Sequence, residues 1–501
     1  MTHVRRQVRN GKTYLYSART FRDRETGKVR QEVKYLGKEV EKDGERMLKP
    51  PVDRKGVRRV LDSGAYVMYR IAQDNGILMQ YEDALDGLTR IRDASKKIVI
   101  LAAECILGPD HSTYVHTGIP EMSDKEIRDV VDLVGRKDPD TISMLERSIA
   151  PLIVREFGSS GIVYDLSAIR YYGTENDLAR YGHYYHTNGE NREINFVLAV
   201  TREHGIPVHH RPIAGNIPSV STIHTFSCEL NDYGILSILI VMDRGFYSTD
   251  NLNDLKDYST IGALPSSLSI HDDLIHSSGD IENSRNYIQY EGETIFHTEK
   301  RINGTRYIVY FSPRLRSQRL ESFYAQLAEK EALLSELRKK EFHSQRDLIS
   351  TIESGLKGFR NLVDIRYADL TFMHSLKHKA IQRRTNRMGY TILFTNTRLK
   401  AEEALRIYRE KDTVEKAFSH VKPHLEPFFS RTEAGTRARL FLTILGYTLI
   451  AIIAAKCNIT YNQAVNIISG IREVVYANGS HAHVEYTKEQ GELIEKLKIG
   501  L

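Results

Sequence analysis

Two aspartates stand where apolar runs stop. Ile162-Val163-Tyr164 leads straight into Asp165, and Leu236 to Met242 leads into Asp243. Each run has the length and composition of a short buried strand. Strand ends lie near one another in a sheet and open on a common crevice, and two carboxylates buried side by side need a proton or a metal to neutralise them. A third acid, Glu415, lies in a helical segment from Lys400 to Lys422. At about 100° per residue, Tyr408, Lys411, Glu415 and Lys422 fall within roughly 60° of one another on that helix. One face then presents a phenol, two cations and a carboxylate, while Ala417, Phe418 and Val421 anchor the other. Three carboxylates at one crevice suit hard divalent cations. Two such ions about 3.5–4 Å apart activate an attacking oxygen and stabilise a departing one at phosphorus. Neighbouring lysines would hold phosphates as point charges. Taken singly, each signal has an ordinary reading too. An Asp after a strand also caps loops and helices, and Lys411–Glu415 is a common i, i+4 surface pair.

The surrounding elements must bring these residues together. Residues 1–48 read as a basic, strand-rich segment, with Thr26-Gly27 in a turn and Lys49-Pro50-Pro51 beginning a linker. Val57 to Gln73, Lys96 to Leu107 and Asp140 to Phe157 have helical spacing, and Ser123 with Glu126 forms a capping box, so 57–157 is expected to be a mostly helical domain. After Gly158-Ser159-Ser160-Gly161 the order becomes strand, strand, strand, helix, strand, helix, strand through residue 270. Residues 271–388 interrupt this as an insertion, first strand-like around an Asn303-Gly304 turn, then helical. Leu320, Leu327 and Leu334 stand seven apart there, a stripe for helix packing inside the insertion or across a dimer. Residues 389–460 complete the core with the Glu415 helix, and 461–501 form a tail.

Composition bounds the rest. Hydrophobic residues at 41% and charged residues at 27% are those of an ordinary folded protein, and 501 residues exceed one typical core. Cys105, Cys228 and Cys457 lie far apart, without the spacing of a zinc site or disulfide framework, as expected in a reducing cytoplasm. Early arginines argue against a signal peptide, and the sixteen-residue apolar run Leu440 to Ala455 reads as a buried helix rather than a membrane span. The net charge is +6, but residues 1–60 alone carry 18 Lys and Arg against 8 Asp and Glu. That asymmetry suits a polyanionic partner, or simply a solvated surface.

The motifs together resemble the DDE transposases of prokaryotic insertion sequences, in the subgroup with the signature Tyr-x2-Arg-x3-Glu-x6-Lys. Here it stands as Tyr408, Lys411, Glu415 and Lys422, with Lys in the Arg position. Val163-Tyr164-Asp165-Leu166-Ser167, Ile206-Pro207 with Ala214-Gly215-Asn216, and Val241 to Phe246 agree as well, so the resemblance covers roughly 160–455. It implies an α/β ribonuclease-H-like catalytic core, a mixed sheet flanked by helices. It further implies metal-dependent cleavage and strand transfer on DNA, with Asp165, Asp243 and Glu415 ligating two Mg²⁺ or Mn²⁺ ions. Lys411 and Lys422 would contact phosphates, Tyr408 would pack beside them, and the helical domain of 57–157 would be DNA-binding. The implied partners are double-stranded DNA (terminal inverted repeats and target) and a second copy in a synaptic homodimer; the implied location is the cytoplasm, on the nucleoid. The Lys in place of Arg loses the planar fork that binds phosphate bidentately. In the insertion, Lys377, Lys379, Arg383, Arg384 and Arg387 could touch DNA or merely face solvent; near the N-terminus, Arg90, Arg92, Lys96 and Lys97 could enter a groove. Two other readings remain: a transposase-derived DNA-binding protein without catalysis, and a ribonuclease-H-like nuclease or resolvase.

Overall fold

Ser123 caps a helix as its sequence predicts, with the hydroxyl accepting from the Glu126 N–H and the Glu126 carboxylate accepting from the Ser123 N–H. It belongs to a computed structural model that describes residues 2–22, 29–42, 45–49, 57–158, 160–182, 192–236, 238–477 and 481–499. The turn expected at Thr26-Gly27 and the linker at Pro50-Pro51 lie outside the described residues. The chain opens with a four-stranded antiparallel sheet, β1 (Thr2–Arg9), β2 (Lys12–Arg22), β3 (Val29–Lys42) and β4 (Glu45–Lys49). Then comes β5 (Val57–Asp62), followed by helices α1 (Gly64–Asp74), α2 (Ile77–Leu85), α3 (Ala94–Leu107), α4 (His111–Thr117), α5 (Asp124–Gly135) and α6 (Thr141–Phe157).

The central order is β6 (Ile162–Arg170), β7 (Glu193–Thr201), β8 (Pro207–Ala214), α7 (Ile223–Asp232), β9 (Leu239–Met242), α8 (Thr249–Asp254) and β10 (Ser259–Ala263). Next are α9 (Ser269–Ser277), β11 (Tyr287–Tyr290), β12 (Glu293–Ile302), β13 (Thr305–Phe311), α10 (Pro313–Leu337), α11 (Gln345–Gly355), β14 (Val363–Ala368), β15 (Thr371–Leu376) and α12 (His378–Asn386). The chain closes with β16 (Tyr390–Thr395), α13 (Ala401–Arg409), α14 (Asp412–Leu425), α15 (Glu433–Cys457), α16 (Tyr461–Ser469), β17 (Arg472–Tyr476), β18 (His481–His483) and α17 (Lys488–Leu497).

Nine strands make one mixed sheet in the order β11-β12-β13-β16-β10-β9-β6-β7-β8. β9 runs parallel to both β6 and β10, and the other pairs are antiparallel. β7 is buried at every position, and its apolar run from Phe196 to Val200 suits a strand covered on both faces. The strands at 287–311 therefore extend the main sheet instead of standing apart from it. Beyond them, α10 to α12 with the β14–β15 hairpin have two small cores of their own. Leu327 and Leu334 are buried in those two cores, which gives the leucine stripe an intramolecular role. Asn303 and Gly304 both take positive φ (50° and 84°) in the β12–β13 turn, the conformation that Asn-Gly supplies in a two-residue hairpin.

Three expectations change. Val57–Asp62 is a strand, not the start of a helix, because it pairs with β17 some four hundred residues later. The basic helix α3 is a core element: its residues from Lys97 to Ala103 are buried and Lys97 pairs with Glu126 at 3.0 Å, so Lys97 is not placed to enter a groove, whereas Arg90 and Arg92 before the helix are exposed. The expected helix from Lys400 to Lys422 is two helices, divided at Glu410 and Lys411. As for the apolar run, α15 is long and apolar enough to cross a membrane, but 89% of its apolar window is buried inside the protein. It packs against α3 and α5, so the helices of 57–157 share one core with the sheet.

A buried ionic cluster ties α6 to β8 and α7. Glu146 accepts from the His210 N–H (2.8 Å) and the Tyr233 hydroxyl (2.8 Å), and it pairs with the His210 and His209 rings, the latter at 3.3 Å. Burial pushes the Glu146 carboxyl up, but His210 and His209 outweigh that and hold it well below its ordinary value. Burial likewise depresses the His209 ring. In both cases the unfolded chain binds more protons in acid, so stability must rise with pH across the acid range. Melting temperature is expected to fall as pH drops below about 6.5, where unfolded His209 begins to charge, and to fall further below about 4.5, where unfolded Glu146 protonates. A melting temperature flat from pH 7 to 4 would contradict this assignment.

Candidate active site

The parallel pairing of β6 and β9 ends at Tyr164 opposite Met242, so the next residues, Asp165 and Asp243, are neighbours at one edge of that pair. β9 stops there and β6 continues beside β7 alone, which opens a crevice at the carboxyl end of β9. Open α/β sheets bind ligands at such a place. Tyr164 turns to the opposite face, where its ring stacks on Phe226 (4.0 Å) and its hydroxyl donates to Thr222 (3.0 Å). Strand alternation then sends Asp165 to the side covered by α14.

Helix α14 brings Glu415 and Lys422 to that side, with Val414, Ala417, Phe418 and Val421 buried beneath it. The turn between α13 and α14 keeps Glu410 and Lys411 in right-handed helical backbone, so Tyr408, Lys411 and Glu415 stay on one side despite the break. Glu410 is fixed by Arg202 at 3.0 Å, which pins the turn to the β7–β8 connection. The Lys411 Nζ lies 3.2 Å from Asp243 Oδ1 and 3.3 Å from Glu415 Oε1. Those two oxygens therefore lie no farther apart than the two distances combined. The Tyr408 hydroxyl donates to Asp243 Oδ1 at 3.1 Å. The structure thus gathers Asp165, Asp243, Tyr408, Lys411 and Glu415 around one crevice, with Lys422 facing Asp165 electrostatically. The Lys411 ammonium stands between the Asp243 and Glu415 carboxylates.

Electrostatics separate the two aspartates. Burial lifts the Asp165 carboxyl to about 7; the Leu166 N–H opposes this, while Asp243 and Glu415 add to it. Burial also pushes Asp243 upward, but the Arg244 N–H, the Lys411 ammonium and the Tyr408 hydroxyl prevail and hold it below its usual value. Burial lowers Lys422, against the pull of Glu426, Asp165 and Glu193. An acid held near neutrality beside two other carboxylates marks a place short of positive charge, a common feature of functional sites.

Asp243, Tyr408 and Lys411 form one wall of a cleft of about 810 Å³ whose far wall comes from α10 and α12. Arg383 and Arg387 line it while both clamp Asp272, and Arg384 lies over the rings of Phe323 (5.2 Å) and Phe359 (4.9 Å). Those three arginines are held in place by the fold rather than left loose on the surface. Two lining cations escaped the sequence reading as site residues. Arg244 and Arg319 are exposed on the cleft and make no ion pair among the described residues. Arg244 follows Asp243 directly and was legible as a neighbour, but nothing in sequence brings Arg319 to Asp243.

No protein-family model and no curated protein matches the chain. Among solved structures it is similar to piggyBac transposase in a cryo-EM structure of the synaptic complex with hairpin DNA, at 9% identity over 80% of this chain and 70% of that one. The TM-score is 0.36, and at that level the likeness carries no argument about this chain.

Proposed function

We propose that the protein is a DNA transposase of the DDE type, cutting and joining phosphodiester bonds at the ends of an insertion sequence. The observation behind this reading is the meeting of Asp165, Asp243 and Glu415 around Lys411, on adjacent parallel strands and a facing helix. The strand sequence β6-β7-β8 followed across the sheet by β9 and β10 is that expected of a ribonuclease-H-like core. The donor set is all oxygen, and the buried, charge-poor Asp165 favours a cation beside it, so the residues fit a pair of Mg²⁺ or Mn²⁺ ions. Asp165, Asp243 and Glu415 would hold them, and when bound such ions supply activation of the attacking oxygen and stabilisation of the leaving one.

The chain's own groups do the rest. Tyr408 orients the Asp243 carboxylate through its hydroxyl. Lys411 keeps Asp243 and Glu415 from repelling each other, and with Lys422 it offers point charges to phosphates. Arg244 and Arg319 extend that positive lining along the cleft toward the insertion. The substrate is double-stranded DNA bearing terminal inverted repeats, then target DNA, handled by a synaptic homodimer in the cytoplasm.

The test is cleavage of a duplex carrying the inverted repeats that flank the gene. Cleavage requiring Mg²⁺, followed by joining of the freed 3′ end to a second duplex, is the expected result. Tight binding without cutting would instead indicate a DNA-binding descendant, and cutting indifferent to the repeat would indicate a nuclease or resolvase. Binding should weaken steeply with salt, by roughly 0.9 log units per log unit of salt for each phosphate neutralised. With Lys411, Lys422, Arg244 and Arg319 engaged, the slope should be steeper than about −3.6, and Arg319→Ala should lessen it by about 0.9. An unchanged slope in that variant removes Arg319 from the DNA path.

A further inference from the structure

A second cluster lies away from the acidic crevice, where the C-terminal strands meet α4. Glu473 on β17 is 1% exposed, and its carboxylate accepts from Ser112 Oγ at 2.7 Å. The same oxygen lies 2.9 Å from His116 Nε2, and its other oxygen 3.3 Å from His481 Nδ1. His483 enters from β18, and its Nδ1 is buried without a hydrogen-bond partner among the described residues. The rings of His116 and His483 lie nearly parallel with centroids 6.2 Å apart, and Tyr66 stacks on His116 at 4.6 Å. One ligand atom from each of His116, Glu473 and His483 falls within 4.8 Å of the other two.

We propose that His116, Glu473 and His483 form a structural site for a divalent transition metal of the zinc class. Two imidazoles and one carboxylate are a regular donor set for such ions, which hold nitrogen and oxygen ligands at about 2.0–2.2 Å. Bonds of that length require the three atoms to close in by roughly 1 Å, a movement within reach of side-chain torsions. The His483 Nδ1 makes no hydrogen bond among the described residues, which leaves its lone pair free for a ligand. Ser112 serves as the positioning residue for the carboxylate. His481 beside it, or water, can complete the coordination.

The ligands come from α4 and from two strands at the other end of the chain. β17 pairs with β5, which follows the basic N-terminal sheet. A bound ion would therefore tie α4 to the β5–β17–β18 sheet, independently of the acidic crevice.

The full chain, stripped with chelator and dialysed against micromolar Zn²⁺ in millimolar Mg²⁺, should retain about one zinc per chain by elemental analysis. A Cys228→Ser background removes the exposed thiol as a competing ligand. His483→Ala should lose the ion altogether and lose the rise in melting temperature that zinc gives the parent. Ser112→Ala should weaken binding by about 10–100-fold, and Asp243→Asn should bind zinc normally. Because His483 Nδ1 makes no hydrogen bond among the described residues, His483→Ala should fold even if Glu473→Gln does not. Zinc retention by His483→Ala equal to the parent, or none in the parent above the buffer, would overturn the site.

Discussion

Asp243→Asn is expected to reduce Mg²⁺-dependent DNA cleavage by about 10²–10³-fold, the scale on which removing one preorganised polar group acts at a reacting centre. The substitution keeps shape and volume and removes only the negative charge. The Tyr408 hydroxyl can still donate to the amide oxygen, and Lys411 retains Glu415 as partner at 3.3 Å. Folding should therefore survive, with the melting temperature near that of the parent. Glu415→Gln should act alike with still less structural effect, since its side chain is 60% exposed. DNA binding at moderate salt should be retained or slightly strengthened in both, because a carboxylate facing phosphates has been neutralised. Cleavage at the parental rate in either variant would remove the acidic crevice from the chemistry.

Gly446→Ala should be among the most destabilising single-methyl changes in the molecule. A Cβ at this position would stand 2.2 Å from the Ala102 carbonyl oxygen and 2.6 Å from Ile106 Cγ1, inside the contact between α15 and α3. Neither neighbour can yield easily, because one is backbone and both are buried in the central core. In an open helix the same change gains roughly 0.5–1 kcal/mol; here overpacking should cost about 3 kcal/mol, the upper part of the usual range. Gly491, in α17, has no heavy atom within 4 Å of the point where an added methyl would sit, and it serves as the control. Gly491→Ala should raise the melting temperature where Gly446→Ala lowers it. A neutral Gly446→Ala would mean that the two helices do not cross so closely.

The site was legible where local pattern decides structure. Apolar runs ending in acids mark strand ends, and the strands of 162–263 are readable because their hydrophobicity and the glycines between them are local signals. Periodicity also placed Tyr408, Lys411 and Glu415 together, although it missed the break at Glu410, where the chain stays helical in dihedral angle while the hydrogen-bond ladder shortens to Lys411 N–H with the Tyr408 carbonyl (3.2 Å). Hidden from sequence is whatever distant segments decide. Residues 57–62 have no reason to be extended until β17 is beside them. Lys97 looks solvent-facing until Glu126 and α15 bury it. His116, Glu473 and His483 have no spacing at all, since more than three hundred residues separate the first from the others.

The pairing of β5 with β17 has a bearing on how the molecule is made. Residues 57–62 are translated some four hundred residues before the strand that completes their hydrogen bonding. Closing so long a loop is slow and comes late. A polypeptide that has not yet reached residue 472 leaves that early edge bare.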